Sequence, residues 1–247
     1  MQQDFQRLER EVQRVHTRYQ TEVVEAFGLC PWAKEARKSG RVHMHVTFMT
    51  AATPEAALPL IDACMQAPEA EVGMLIWPLL PLSRRQFAHF VAAVRSADEA
   101  RHVRGQQRFA LADFHPNAAL DLTDADKLVP FLRRAPDPLI QIVRTDVLAR
   151  VRGTEPSGTS YVDPEHIAQL TLAELAPPAL SVAARVAQQN LRTAQRVGLE
   201  TLTHIFDTIQ ADRTASYLAC GFEAPTHAHI LDTSSSAACN NREKHLT

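Results

Sequence analysis

Glycine is scarce in this chain, with eight in 247 residues. That leaves little room for a loop that cradles phosphates on backbone N–H groups. The stretch from Gly153 to Ser160 has neither the spacing nor the lysine of a nucleotide-binding loop. No serine sits in a nucleophile elbow. The four cysteines, Cys30, Cys64, Cys220 and Cys239, form no CxxC pair, which removes zinc-finger and thioredoxin-type motifs. No apolar run is long enough to cross a bilayer, and the polar N-terminus lacks the apolar core of a signal peptide. The expectation is a cytoplasmic protein with free thiols and no membrane partner. Excess positive charge is also missing: the formal net charge is -2 and the pI near 6.6, which argues against a nucleic-acid partner. There is no internal repeat.

What is present is an ordinary globular mixture, 45% hydrophobic and 22% charged, in a chain long enough to bury a core. Phe5, Leu8, Val12, Val15 and Tyr19 recur at steps of three and four, so residues 4–27 read as one amphipathic helix. The next step of the stripe falls on Glu22, with Val23 beside it. A carboxylate facing inward there would need a cation or a ligand. Residues 41–49 alternate as a half-covered strand, with Val42, Met44, Val46 and Phe48 on one face. Thr53-Pro54 opens a helix to about residue 66, and residues 72–77 read as a buried strand. Ser83 caps a helix carrying Phe87, Phe90, Val91 and Val94, and residues 108–114 form a third strand. Residues 138–150 read as an amphipathic helix, and Asp163-Pro164 as another helix start. A long helical region follows over 179–219, broken at Gly198 and capped by Gly221.

The alternation of helix and strand predicts an α/β fold with a small sheet, three parallel strands or larger. Helices pack around it, and the C-terminal third is helical. An antiparallel α+β arrangement is the alternative. The expected organisation is one domain over 1–231 and a disordered polar tail over 232–247.

Three places could carry chemistry. His115 follows the third strand directly and is fixed by Pro116, where open α/β sheets bind ligands; it could act as general acid/base or metal ligand. Cys30, in Cys30-Pro31-Trp32, is held between two helices and could be a reactive thiol or a thiolate ligand to haem. Against both stands the plainer reading: a histidine that bonds a carbonyl, and a cysteine that fills the core. Arg133-Arg134-Ala135-Pro136-Asp137-Pro138 places two arginines on a stiffened turn. They could clamp a carboxylate or phosphate with help from Arg144, or pair with Asp137 or Asp146 as a solvated basic turn. His43 and His45 share a strand face, and His204 and Asp207 are one helical turn apart; neither pair implies a site.

Val23-Val24 with Leu29-Cys30-Pro31-Trp32-Ala33-Lys34, then Phe114-His115-Pro116, then Arg134-Ala135-Pro136-Asp137-Pro138 leading to Arg144, resemble in order and spacing the domain-of-unknown-function family 1415. The resemblance spans about residues 15–200 and includes Asn190. The family pattern has an acidic residue and an aromatic after His-Pro, where this chain has Asn117 and Ala118. It has Asn, Tyr and His around its arginine, where this chain has Arg133, Asp137 and Gln141. The resemblance therefore implies a divergent member, and it supplies no reaction.

Together these features lead to an enzyme acting on a small anionic metabolite as the first functional expectation. His115 and Cys30 would be its catalytic groups, with Arg134, Arg144 and Glu22 binding substrate. The second is a haem- or transition-metal-dependent oxidoreductase with His115 or Cys30 as ligand. The third is a non-catalytic assembly protein that forms an oligomer through the stripe of the first helix.

Overall fold

The first helix, α1 (Gln2–Tyr19), buries Leu8, Val12, Val15, His16 and Tyr19. It continues into a π-helical turn, Gln20–Glu25, that buries Val23. A π turn holds one more residue than an α turn, so the stripe skips Glu22 and resumes at Val23. The chain then turns at Gly28, whose φ of +61° suits glycine. The computed structural model describes residues 2–30, 32–102, 107–118, 128, 131–152 and 182–225, with the backbone alone at 151, 152 and 182–186. The loop expected at Gly153, the helix start at Asp163-Pro164 and the tail from 232 lie outside the described residues.

After α2 (Ala33–Lys38) come β1 (Val42–Val46), α3 (Pro54–Cys64), β2 (Val72–Ile76), α4 (Arg84–Ala100) and β3 (Phe109–Phe114). Both helix starts follow from their capping residues. Thr53 accepts from the Ala56 N–H ahead of Pro54, and Ser83 and Gln86 form a reciprocal capping box. The next strand, β4 (Leu139–Arg144), corrects the sequence expectation of a helix over 138–150; only α5 (Thr145–Arg152) is helical there. Leu139, Ile140 and Ile142 are buried, on alternate faces of the sheet. A strand covered on both sides does not alternate in polarity, so its apolar spacing imitates a helix. Two helices complete the chain, α6 (Val182–Val197) and α7 (Leu199–Ala219), separated as expected at Gly198.

The sheet has the order β1-β2-β4-β3. β1 pairs parallel to β2, whereas β4 is antiparallel to both β2 and β3. The three strands read as parallel therefore do run in one direction, but β4 is inserted between β2 and β3 and makes the sheet mixed. One face carries α1 and α7, with Val12, Tyr19, Met74, Ile76, Leu139, Phe206 and Tyr217 in a common core. The other carries α3 and α4, with Ile61, Leu75, Trp77, Phe87, Val94 and Ile142. Gly73 permits the second packing. A Cβ there would lie 2.6 Å from Met65 Sδ and 2.9 Å from Cys64 Sγ, closer than atoms can approach. α1 and α7 run antiparallel, with Phe5 beside Phe222 at one end and Arg14 on Asp212 further along. The α1 stripe is thus covered by its own sheet and α7.

Candidate functional site

The register sets one end of the sheet apart. Leu139 opposes both Ile76 and Phe114, so the start of β4 lies at the carboxyl ends of β2 and β3. Chain arriving there from β3 includes His115 and Pro116, and chain leading into β4 includes Arg133, Arg134 and Asp137. The two segments are tied together: the His115 N–H donates to Arg133 O, and Arg134 Nε donates to Pro116 O at 2.8 Å.

His115 is buried, and both ring nitrogens are engaged. Nδ1 accepts from the Asn117 N–H at 3.1 Å, so Nε2 carries the proton and donates to Leu82 O at 3.1 Å. The ring packs on Phe87. His115 thereby latches the segment before α4 onto the end of β3. Acid/base or ligand work would require one of these bonds to exchange.

The Arg134 side chain is 25% exposed. Its Nη2 is 4.0 Å from the exposed Asp207 carboxylate, and its guanidinium lies over the Phe206 ring. Arg144 is not beside it. Arg144 opposes Phe109 at the other end of β4, where it donates to the carbonyls of Met65 and Ala67 just past α3. It serves as a helix C-cap, and the two arginines do not form one clamp.

Glu22 is solvent-facing, with 44% of its side chain exposed, and pairs with Arg18 one turn earlier. The inward carboxylate expected from the stripe is therefore absent, because the π turn puts Val23 in that place. The ion pair that does tie this segment down is Glu25 with Arg37 of α2. Cys30 is half-buried; its neighbour Leu29 belongs to the α1-face core, and Asn190 of α6 donates to Leu29 O. Burial pushes the Cys30 thiol up, against the pull of the Trp32 and Ala33 N–H groups. His115 packs on the α4 side of the sheet, against Phe87. Among the described residues no group of three or more His, Cys, Asp or Glu could hold a metal.

Sequence reading missed the most heavily buried polar group. Asp137, between Pro136 and Pro138, is fully buried and accepts from His16 Nε2 at 3.0 Å, Tyr217 OH at 2.6 Å and Arg213 Nε. Arg213 also donates to Pro78 O at the end of β2. Burial alone would raise the Asp137 carboxyl, but Arg213 first, then His16 and Tyr217, hold it well below its ordinary value. Burial and the Asp137 charge push the Tyr217 hydroxyl up, so it stays a donor. A signal was present: Leu202, Phe206, Ile209, Arg213 and Tyr217 share one buried helical stripe, and an arginine on it needs a carboxylate partner. The network pins the Pro136–Pro138 turn, and so positions Arg133 and Arg134.

Comparison with known proteins agrees with the motif reading. The family model for proteins of unknown function designated DUF1415 matches residues 11–175 of the 247. The chain belongs to that family. The matched segment contains His16, Cys30, His115, Arg133, Arg134 and Asp137, whereas Arg213 and Tyr217 lie beyond it. No curated protein and no solved structure matches. Among the described residues no helix is long and apolar enough to cross a membrane.

Proposed function

Taking the chain as a DUF1415 protein, we propose that it is an enzyme acting on a small anionic metabolite, bound at the carboxyl ends of β2 and β3. The observation that carries this reading is the placement of Arg134. One N–H of its guanidinium is fixed on Pro116 O, a quarter of the side chain is exposed, and among the described residues its one ion-pair contact is Asp207 at 4.0 Å. A guanidinium oriented by one bond and partly exposed suits a carboxylate or phosphate oxygen. Ligands of α/β sheets gather at this end. His115 supports the site by fixing the start of α4, and the Asp137 network supports it from the other face.

The test is incubation of the full chain with a metabolite extract, followed by mass spectrometry for anions that are depleted. An anionic metabolite should be consumed catalytically. Arg134→Met should then raise KM about tenfold or more, the loss expected for one charged hydrogen-bonding contact. Turnover by Arg134→Met at the wild-type KM would overturn the assignment of Arg134. A protein that consumes nothing from the extract would overturn the enzymatic reading.

A further inference from the structure

β1 is one edge of the sheet, opposite to β3. Its peptide groups point alternately to β2 and to the open side. The Val72 N–H donates to Arg41 O, and the Thr47 N–H donates to Ile76 O, so the odd-numbered residues from 41 to 47 bond β2. The N–H and C=O groups of Val42, Met44 and Val46 therefore face away from the sheet. Among the described residues no turn, loop or cap bond engages them. A cleft of about 340 Å³ runs beside this edge, lined by Gln13, Thr17, Gln20, Arg37, Val42 and Met44. Val42, Met44 and Val46 pack on the core beneath α1, so alternation turns His43 and His45 to the α3 side. Both are half-buried, and among the described residues neither imidazole has a hydrogen bond or an ion pair.

An open strand edge is a template for another strand. The sequence of this one selects itself as the partner, because Val42-His43-Met44-His45-Val46 reads the same in both directions. Laid antiparallel to itself about Met44, it sets Val42 against Val46, His43 against His45 and Met44 against Met44. The outward-facing residues then exchange N–H···O=C bonds. That makes each His43–His45 couple a non-hydrogen-bonded pair, the closer kind. Charge favours the same direction. α1 runs from Phe5, on Phe48, to Gln20, beside Val42. Glu9, one turn before Gln13, therefore lies toward the Val46 end, while Arg37 and Lys38 of α2 lie toward the Val42 end. An antiparallel copy brings the acid of each chain toward the bases of the other.

We propose that a second copy of this chain adds to β1 in this register, and that His43 and His45 of both copies form a four-imidazole site for a zinc ion. Opposed Cβ atoms in such a pair are about 5 Å apart, and the two histidines of one strand are about 7 Å apart. Imidazoles at those four corners can reach a metal on the dyad above Met44 at the usual Zn–N distance of about 2 Å. One chain supplies two of the four ligands, so the site is incomplete without the second copy. A closed tetrahedral set of nitrogens suits a structural zinc. It would also fix the register, since a slip of one residue turns the histidines of one strand to the other face. This proposal is independent of the metabolite reading.

The experiment is size-exclusion chromatography with light scattering on the full chain, after EDTA treatment and again after addition of zinc chloride, with bound zinc counted by elemental analysis. With zinc the chain should run as a dimer that holds one zinc per two chains. EDTA should weaken that dimer about tenfold or more. Val46→Pro removes one outward N–H and no bond to β2, a change that an edge strand accepts, and it should leave the chain monomeric with zinc present. His45→Ala should hold no zinc at concentrations that saturate the wild-type chain, and zinc should no longer strengthen its dimer. The two changes act through different atoms, so either decides the matter if circular dichroism shows the other unfolded. A monomer in excess zinc, a dimer indifferent to zinc, a dimer that survives Val46→Pro, or zinc binding unchanged in His45→Ala would each overturn the proposal.

Discussion

The two faces of the sheet solve the same packing problem with different materials. Under α3 and α4 the core is mostly apolar, with Trp77, Phe87 and Phe90 in edge-to-face and tilted contacts, and with His115 on Phe87 and the Arg101-paired Asp98 as buried polar members. Under α1 and α7 a similar apolar core is interrupted by His16, Asp137, Arg213 and Tyr217, all essentially withdrawn from water. The apolar face can tolerate a change in shape at modest loss. The ionic face cannot lose a member without leaving a charge or a donor stranded. A buried ion pair gives little net stability but fixes which partners can meet. Here it fixes α7 to the turn that carries the arginines.

The largest effect should come from Asp137→Asn. It leaves Arg213 buried beside a neutral amide and should destabilise the protein by about 3–5 kcal/mol, read from urea unfolding. Its acid limb should change too. The folded Asp137 carboxyl is held below its reference value of 3.8. Its contribution is therefore fully present above that value and is lost progressively as pH falls from there through the lower folded one. Wild-type stability should drop as pH falls below about 4, and Asp137→Asn should show a shallower drop. Combining Asp137→Leu with Arg213→Met should recover much of the loss, because it turns the ionic face into a copy of the apolar one. If Asp137→Asn unfolds at the wild-type urea concentration, the contrast between the faces is wrong.

Tyr217→Phe is the next smaller step. It removes one donor to a charged acceptor and should reduce stability by about 1.5–3 kcal/mol in the same assay. On the apolar face, Ile61→Val trims one methylene from a fully buried residue. The expected loss is about 0.5–1.5 kcal/mol, and the tertiary near-ultraviolet spectrum should be unchanged. A larger loss than that of Tyr217→Phe would reverse the ranking of the two faces. The smallest effect should be that of Glu22→Gln, within about 0.5 kcal/mol, because Glu22 is exposed and its partner Arg18 also holds Asp212. A loss of several kcal/mol would put Glu22 inside after all.

Much of the frame was legible because its signals are local. Thr53-Pro54 and Ser83 announce helix starts, and Gly198 and Gly221 take the positive φ expected where helices part and end. The alternation from Val42 to Phe48 identified the face of β1 that meets α1. β4 was not legible, since burial on both sides erases the period that distinguishes a strand. The site was legible in part. His115 and Arg134 do meet at the sheet end, because the motif residues flank the strands that pair there. Arg144 and Glu22 were misplaced for geometric reasons, one by the unrecognised strand that carries it away and the other by the π turn. The Asp137 network joins residues 16, 137, 213 and 217, and pairing over such separations leaves only an arginine on an apolar stripe as its trace.

The π turn at Gln20–Glu25 also behaves as a one-residue insertion that the helix has absorbed. In unbroken α geometry the stripe from Tyr19 would reach its next inward position at residue 22. Removing Thr21 would move Val23 into that position and let the segment wind as ordinary helix, with the same apolar face presented to the sheet. The surplus residue also lets the helix shift phase by about 100° relative to an unbroken one. Relatives with and without it would share the same core yet align only across a gap, and a comparison by sequence position alone would pair Glu22 of this chain with their buried valine.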